Sequence, residues 1–440
     1  MSFPKYNRYK NSEVEWLGEV PEHWEVKSIK WLSPVQRGAS PRPIEDPKYF
    51  DDGGEYAWVR IADVSASDGI LLETTQKLSQ LGSDLSVKIN PGELFISIAG
   101  TVGKPCISAI KACIHDGFIY FPSLEINPLF LYRIFEAGTC YGGLGKFGTQ
   151  LNLNTDTIGS IRITLPPKEE LDRLLSFLDR ETTKIDELIA EQRQLIDLLK
   201  EKRQAVISHA VTKGLNPDAP MKDSAIEWLG EVPERWEVIP LGNLAIAIQT
   251  GPFGSQLHSE DYVDGQTPVI NPSNIQEGKI IANESCTVPV EIVERLSHHI
   301  LRPGDVIFGR RGEMGRCAMV TDFEAGWLCG TGCLNVRLSE KALPEFVTTF
   351  LRTSYVRERL KLESVGSTMD NLNTSILASI LLPAPPIDEQ RLIAAFLDRE
   401  TAKFDELIAE AHHAIALLRE RRTALISAAV TGKIDVRSLV

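Results

Sequence analysis

Residues 166–212 read PPKEELDRLLSFLDRETTKIDELIAEQRQLIDLLKEKRQAVISHAVT, and residues 385–431 read PPIDEQRLIAAFLDRETAKFDELIAEAHHAIALLRERRTALISAAVT, with 27 identities in 47 positions at an offset of 219. Each block opens on a Pro-Pro pair, which a helix tolerates at its entry but not inside. Apolar residues then recur in steps of 3, 4 and 7: Leu171, Leu175, Leu178, Ile185, Ile189, Ile196, Leu199 and Val206 in the first block. Ile393, Leu397, Phe404, Ile408, Ile415, Leu418 and Leu425 form the equivalent stripe in the second. A stripe of that period is a packing seam on a helix. Some 45 residues at a rise of 1.5 Å make a rod of roughly 65 Å, too long to bury itself against a small domain. The simplest partner for each rod is the other.

Outward from these blocks the chain repeats itself again. SEVEWLGEVPEHWEV at 12–26 returns as SAIEWLGEVPERWEV at 224–238, an offset of 212. Between box and rod lie two segments, 27–165 and 239–384, that share little except landmarks in the same order. Pro91-Gly92-Glu93, Gly100 and Gly103-Lys104 answer to Pro303-Gly304-Asp305, Gly312 and Gly315-Arg316 at 212, and Asn152 to Thr155 answer to Asn371 to Thr374 at 219. The second copy therefore gains seven residues between these landmarks. Duplication explains this economically, and each half reads as short box, variable domain, long helix. Apolar runs at 93–98, 305–308, 56–61, 114–121 and 334–338, bounded by Gly and Pro, predict strands, so each variable segment is expected to be an α/β domain with a twisted sheet.

At 440 residues the chain suits two or three domains, and 43% hydrophobic with 24% charged residues describes a folded protein. No stretch approaches the roughly 18 apolar residues of a membrane span, and the N-terminus lacks the apolar core of a signal peptide, so a cytoplasmic protein without membrane contact is expected. Seven scattered cysteines without a Cys-x-x-Cys pair read as buried thiols rather than disulfides or a zinc site. The net charge of −13 requires that any contact with nucleic acid come from local basic patches or from a partner.

Familiar catalytic motifs fail on context. Gly143-Leu144-Gly145-Lys146-Phe147-Gly148 matches Gly-x-Gly-x-x-Gly, but no apolar strand leads into it and TQLNLNT follows, so a loop is expected. Gly100 to Pro105 lacks the spacing and the Ser or Thr of a P-loop and reads as a turn. No Gly-x-Ser-x-Gly, His-Glu-x-x-His or Asn-Pro-Pro-aromatic signature is present, and His298-His299 are neighbours that converge poorly on one metal; no catalytic or metal-binding residue is expected.

One basic cluster carries more. Arg302, Arg310, Arg311 and Arg316 fall within fifteen residues that contain only Asp305 and Glu313 as acids. On a strand and its glycine-rich turn, arginines can read guanine edges or clamp phosphate. Arg37, Arg42, Arg60 and Lys104 are the basic candidates in the first variable segment, with Lys111 beside them. The duplicated Trp16/Trp228 and Trp24/Trp236 are expected to pack the framework rather than stack on bases. Landmarks common to both segments, such as Asn152 and Asn371, are expected to maintain structure.

The Trp-Leu-Gly-Glu-Val-Pro-x-x-Trp boxes, the Pro-Gly-Asp-Val-Ile-Phe-Gly-Arg-Arg-Gly-x-x-Gly-Arg stretch at 303–316 and the Phe-Leu-Asp-Arg-Glu-Thr helices resemble the specificity subunit of type I restriction-modification enzymes across nearly the whole chain. The resemblance implies two α/β target recognition domains that each read half of a split double-stranded DNA sequence, separated by two long helices paired as an antiparallel coiled coil, with an internal pseudo-twofold repeat. It also implies two modification subunits and two restriction subunits as partners. This chain then holds no cofactor and catalyses nothing; S-adenosylmethionine belongs to the modification subunit, and ATP and Mg to the restriction subunit. The expected divisions are a box at 1–26, a recognition domain at 27–165, a helix at 166–214, a linker with the second box at 215–238, a recognition domain at 239–384, a helix at 385–432 and a tail at 433–440. Two rivals stand beside this: a coiled-coil scaffold without DNA specificity, and an enzyme using the 143–148 loop.

Overall fold

The computed structural model describes residues 3–144, 153–313, 315–364 and 372–439. The chain divides into two compact units, Met1–Arg193 with His412–Val440 and Gln194–Ala411, and the division falls inside both long helices.

Those helices span Lys168–Lys213 and Ile387–Val430, each beginning just past its Pro-Pro entry with acids in the first turn, where the helix dipole favours them. Of the fifteen expected seam residues nine are buried, while Leu171, Leu199, Val206, Phe404, Ile408 and Leu418 are half-buried. Leu175, Leu178, Ile185, Ile189 and Ile196 are buried, as are Ile393, Leu397, Ile415 and Leu425. Leucines off the seam, among them Leu188, Leu198, Leu407 and Leu417, are exposed on the same helices. In the first unit Thr164 at the entry of one helix donates to the carbonyl of Val430 at the end of the other, 2.5 Å, while Asp186 pairs with Arg422, so the helices run antiparallel. The second unit repeats this with Arg203 on Asp405 at 3.1 Å.

Each recognition segment is tied at its base by one strand pair, Glu25–Ser28 with Arg162–Leu165 in the first unit and Glu237–Pro240 with Leu381–Ala384 in the second. A box hairpin precedes it, Tyr9–Asn11 with Glu19–Pro21 and Met221–Asp223 with Glu231–Pro233. Trp24 and Trp236 are fully buried, each behind a left-handed glycine that ends a long helix, Gly432 and Gly214. An added Cβ there would press to 3.1 Å and 3.2 Å from the respective indole, so glycine serves both the turn and the contact.

The segments do not hold the single sheet expected of each. The first carries a five-stranded and a four-stranded sheet, the second a four-stranded and a three-stranded one. The run at 114–121 explains the difference: it breaks at His115-Asp116-Gly117, leaving Ala112–Ile114 in one sheet and Phe118–Tyr120 in the other. The Gly117 amide donates to His115 Nδ1 at 2.8 Å, which closes the turn. Most pairings are antiparallel, with parallel ones at Ile107/Ile70, Cys113/Trp58 and Val269/Leu328. Phe95, Phe118, Val59 and Ile114 fill the space between the first unit's sheets. Phe308, Phe346, Phe350 and Trp236 anchor the second unit's core, which includes Ile393 and Leu397 of the long helix.

Six cysteines are buried and Cys286 is half-buried. Burial pushes the thiols of Cys113, Cys317 and Cys329 up to about 12, so they are inert apolar filler. No cluster of His, Cys, Asp and Glu suited to a metal occurs among the described residues, and no helix among them is long and apolar enough to cross a membrane.

Candidate nucleic-acid interface

In both units several strands finish at one end in loops, most of them glycine-bearing. In the second unit these follow Ala245–Thr250, Thr267–Ile270, Val306–Gly309 and Leu328–Cys329. In the first they follow Gln36–Arg37, Tyr56–Val59, Leu94–Ser97 and Ala112–Ile114. Gly251 packs against the Gly330 carbonyl and Gly38 against the His115 carbonyl, with no room for a side chain at either. Backbones brought this close leave side chains on the loops as the readable surface.

Arg310, Arg311 and Arg316 share the loop between the paired strands Val306–Gly309 and Cys317–Met319. Arg310 Nε donates to the Leu372 carbonyl at 3.0 Å, and Arg316 donates to the Pro272 carbonyl at 3.3 Å and to Glu313 at 2.9 Å. Arg311 is exposed and its side chain has no partner among the described residues. Arg302 does not join them. It precedes the Val306–Gly309 strand, at the opposite end from the other three, because a strand of four residues separates positions that the sequence places close together.

The first unit disperses its candidates. Arg37 donates to the Asp116 carbonyl and Arg42 to the Asp116 carboxylate at 3.1 Å, so one turn holds both arginines. Arg60 donates to Gln76 from the start of the Ile61–Ala66 helix. Lys104 spends its ammonium on the carbonyls of Ser65 and Ser67, at 3.0 Å and 2.7 Å, where that helix ends. It serves there as a helix-end cation rather than a free DNA contact. Lys111 is paired with Glu55 at 2.5 Å. Burial between Trp58 and Phe118 holds the His115 imidazole below its usual pKa, with Asp116 acting against this and Arg37 with it.

The remaining motifs resolve as turns or lie outside the described residues. Gly100 and Gly103 take positive φ in a turn that enters the strand Pro105–Ser108, so no helix receives a phosphate. Gly143 is also left-handed, while Gly145 to Gly148, Asn152 and Asn371 lie outside the described residues. Their neighbours Asn154 and Asn373 cap short helices, accepting from the amides of Thr157 and Ile376 at 2.8 Å each. Sequence reasoning missed the helix Ser354–Ser364, whose Arg357 lies against the arginine loop at Gly315. The seven residues gained by the second copy were its only trace.

A family model for the type I restriction modification DNA specificity domain matches residues 21–198 and again 233–415, one match per copy. The chain belongs to this family. A curated specificity subunit, that of the MjaVIII type I restriction enzyme of Methanocaldococcus jannaschii, is 24% identical over 456 residues, covering 100% of this chain and 99% of its own. The EcoKI specificity subunit of Escherichia coli strain K12 is 26% identical over 210 residues, 47% of this chain and 44% of its own. A chain solved in work on complex assembly and conformational transition of the type I R-M system superposes with a TM-score of 0.69 at 17% identity, covering 93% of this chain and 98% of that one. The crystal structure of the HsdS subunit from Thermoanaerobacter tengcongensis gives 0.51 at 17%, covering 94% and 98%. Members of the specificity family are non-catalytic, and the fold of two recognition domains with two long helices is theirs.

Proposed function

We propose that this chain is the address of a type I restriction-modification complex: each unit reads one half of an asymmetric, bipartite double-stranded DNA target with its glycine-bearing loops. The observation that carries this is that both units end in the same loop cluster at equivalent strand ends but equip it with different side chains, Arg310 and Arg311 in one and Ile98 and Ala99 at the matching positions of the other. A shared scaffold with unlike contact residues suits two unlike half-sites, as dimer geometry in other readers suits two like ones.

The paired helices set the spacer and dock two modification subunits. Leu188 and Leu407 occupy duplicated positions, as do Leu198 and Leu417, and all four are exposed on the long helices. That supports two similar apolar docking surfaces. The docked subunits bring S-adenosylmethionine and the chemistry on a flipped adenine, and two restriction subunits bring ATP and Mg. A coiled-coil scaffold without DNA specificity would leave the two differing loop sets unexplained.

Replacing residues 27–165 by another recognition segment tests this in the assembled complex. One half of the methylated motif should change and the other stay; a change in both halves would overturn the division of labour.

A further inference from the structure

In the first unit the long-helix arginine is neutralised. Arg422 donates to Glu136 at 2.8 Å and to Asp186 at 2.9 Å, and Glu136 also pairs with Arg133 at 2.8 Å. Glu136 lies eight residues after Pro128, which opens the helix Pro128–Ala137. The second unit builds the matching helix Pro344–Leu351, and eight residues after its proline stands Arg352. The duplicated long-helix arginine, Arg203, keeps the matching Asp405 at 3.1 Å from its Nε, an ion pair without hydrogen-bond geometry, but meets the cation Arg352 where its twin meets an acid. Arg352 packs over Gly278 and donates to the Glu277 carbonyl at 2.7 Å, with the Glu277 carboxylate near enough to act on it but in no close ion pair.

The helix Ser354–Ser364 extends this excess of cations toward the arginine loop. Val356 and Leu360 turn into the core, which fixes the helix by its buried stripe. Arg357 and Lys361, one residue round from each and one turn apart, share a flank. Gly315 admits Arg357 against the loop, since an ideal Cβ there would lie 2.6 Å from Arg357 Cγ. The hydrogen bond from Arg316 holds the Glu313 carboxyl below its usual range, and the charges of Arg357 and Lys361 add to this from further off. Residues 310–316 and 352–361 together carry seven cations against two acids, Glu313 and Glu358. The matching stretches of the first copy, 98–104 and 136–145, carry one cation and one acid, and that cation, Lys104, is held by the Ser67 carbonyl.

So dense a positive patch on a chain of net charge −13 fits a polyanion. We propose that Arg357 and Lys361, with Arg311 and Arg352 beside them, form a phosphate clamp that grips the duplex backbone next to the half-site read by the second unit. The clamp holds without reading, because phosphates carry no sequence information. This rests on the DNA-reading role proposed above and adds an inequality between the halves: the second unit carries the larger share of the salt-dependent affinity.

The test is equilibrium binding of the full complex with its modification subunit to a cognate duplex and to one with the second half-site scrambled, over a range of salt. Arg357→Gln with Lys361→Gln should weaken binding to both duplexes by the same factor and lower the slope of log affinity against log salt by about two, since each phosphate left without its cation takes about 0.9 from the slope. Lys361→Gln alone, a change that leaves Gly315 and the core untouched, should lower it by about one. Arg357→Lys with Lys361→Arg should keep the slope. An unchanged slope in K361Q and the double variant, or a weakening confined to the cognate duplex, overturns the clamp. A wild-type complex that binds both duplexes equally overturns the DNA-reading role instead.

Discussion

The two units share a framework and differ in how they balance charge on it. In the first, Arg422 has Glu136 and Asp186, Arg42 has Asp116, and Lys104 has two carbonyls. In the second, Arg311 has no side-chain partner among the described residues and Arg352 has a backbone carbonyl in place of a carboxylate. Duplication preserved Arg203 with Arg422 and Asp186 with Asp405, but not the third member, Glu136, which Arg352 replaces. What packs the framework was kept twice, while the charges on the recognition segments diverged.

The sharpest way to break the comparison is to remove the twin arginines one at a time. Arg422→Met takes one of two cations from Glu136, which is 17% exposed and keeps Arg133 at 2.8 Å, and should cost about 1 kcal/mol, less than a fully buried pair because Asp186 is half in solvent. Arg203→Met removes one ion pair but also one repulsion and should change stability by less than about 0.5 kcal/mol. Urea unfolding, with hydrogen exchange to assign the loss to a unit, reads both. Equal costs would mean that the charge difference between the units has no energetic weight.

A contrast of similar size separates the box tryptophans. Trp24 Nε1 donates to the buried carboxylate of Glu170 at 3.1 Å, which also accepts from the Tyr6 hydroxyl and bonds His23 at 2.8 Å. Trp236 Nε1 is equally buried and has no partner among the described residues. Trp24→Phe should therefore cost about 1–2 kcal/mol beyond the volume change, and Trp236→Phe only the volume change, by the same unfolding measurement. Burial, and after it the hydrogen bond and charge of Glu170, push the Tyr6 hydroxyl above its usual pKa. Tyr6 therefore stays a neutral donor to that carboxylate.

The smallest effect is the pH dependence that His115 gives the first unit, and burial likewise holds His299 of the second below its usual range. His115 is held below its usual pKa of about 6.5 by burial, so the unfolded chain takes up a proton that the folded one resists. Stability present above that value is lost as the pH falls through the folded pKa. Between pH 7.5 and 5.5 the wild type should lose more stability than His115→Gln, by less than about 1 kcal/mol. An identical loss in both would remove His115 from the account.

The framework was legible in the sequence because its signals are local. The seam at Leu175, Ile189 and Ile415 follows from spacing alone, and the fate of Trp24 and Trp236 follows from their duplication. The interface was legible only in part, because its partners are distant along the chain. Nothing near Lys104 announces the Ser65 and Ser67 carbonyls, and Arg302 looks clustered until a strand carries it away from Arg310. The break at His115 was hidden by a continuous apolar run, since a run cannot reveal that two sheets share it. The helix bearing Arg357 left only a length difference, which gives a place but no structure.

The central claim is that this chain reads two unlike half-sites at a fixed separation on the DNA. Co-expressing it with its modification subunit in a methylation-free host, and mapping methylated adenines by long-read sequencing, tests that most directly. The account predicts one split, asymmetric motif with a constant unspecified spacer. If the complex forms with a modification subunit active alongside another specificity subunit and yet no motif emerges, or a palindromic one does, the account is contradicted.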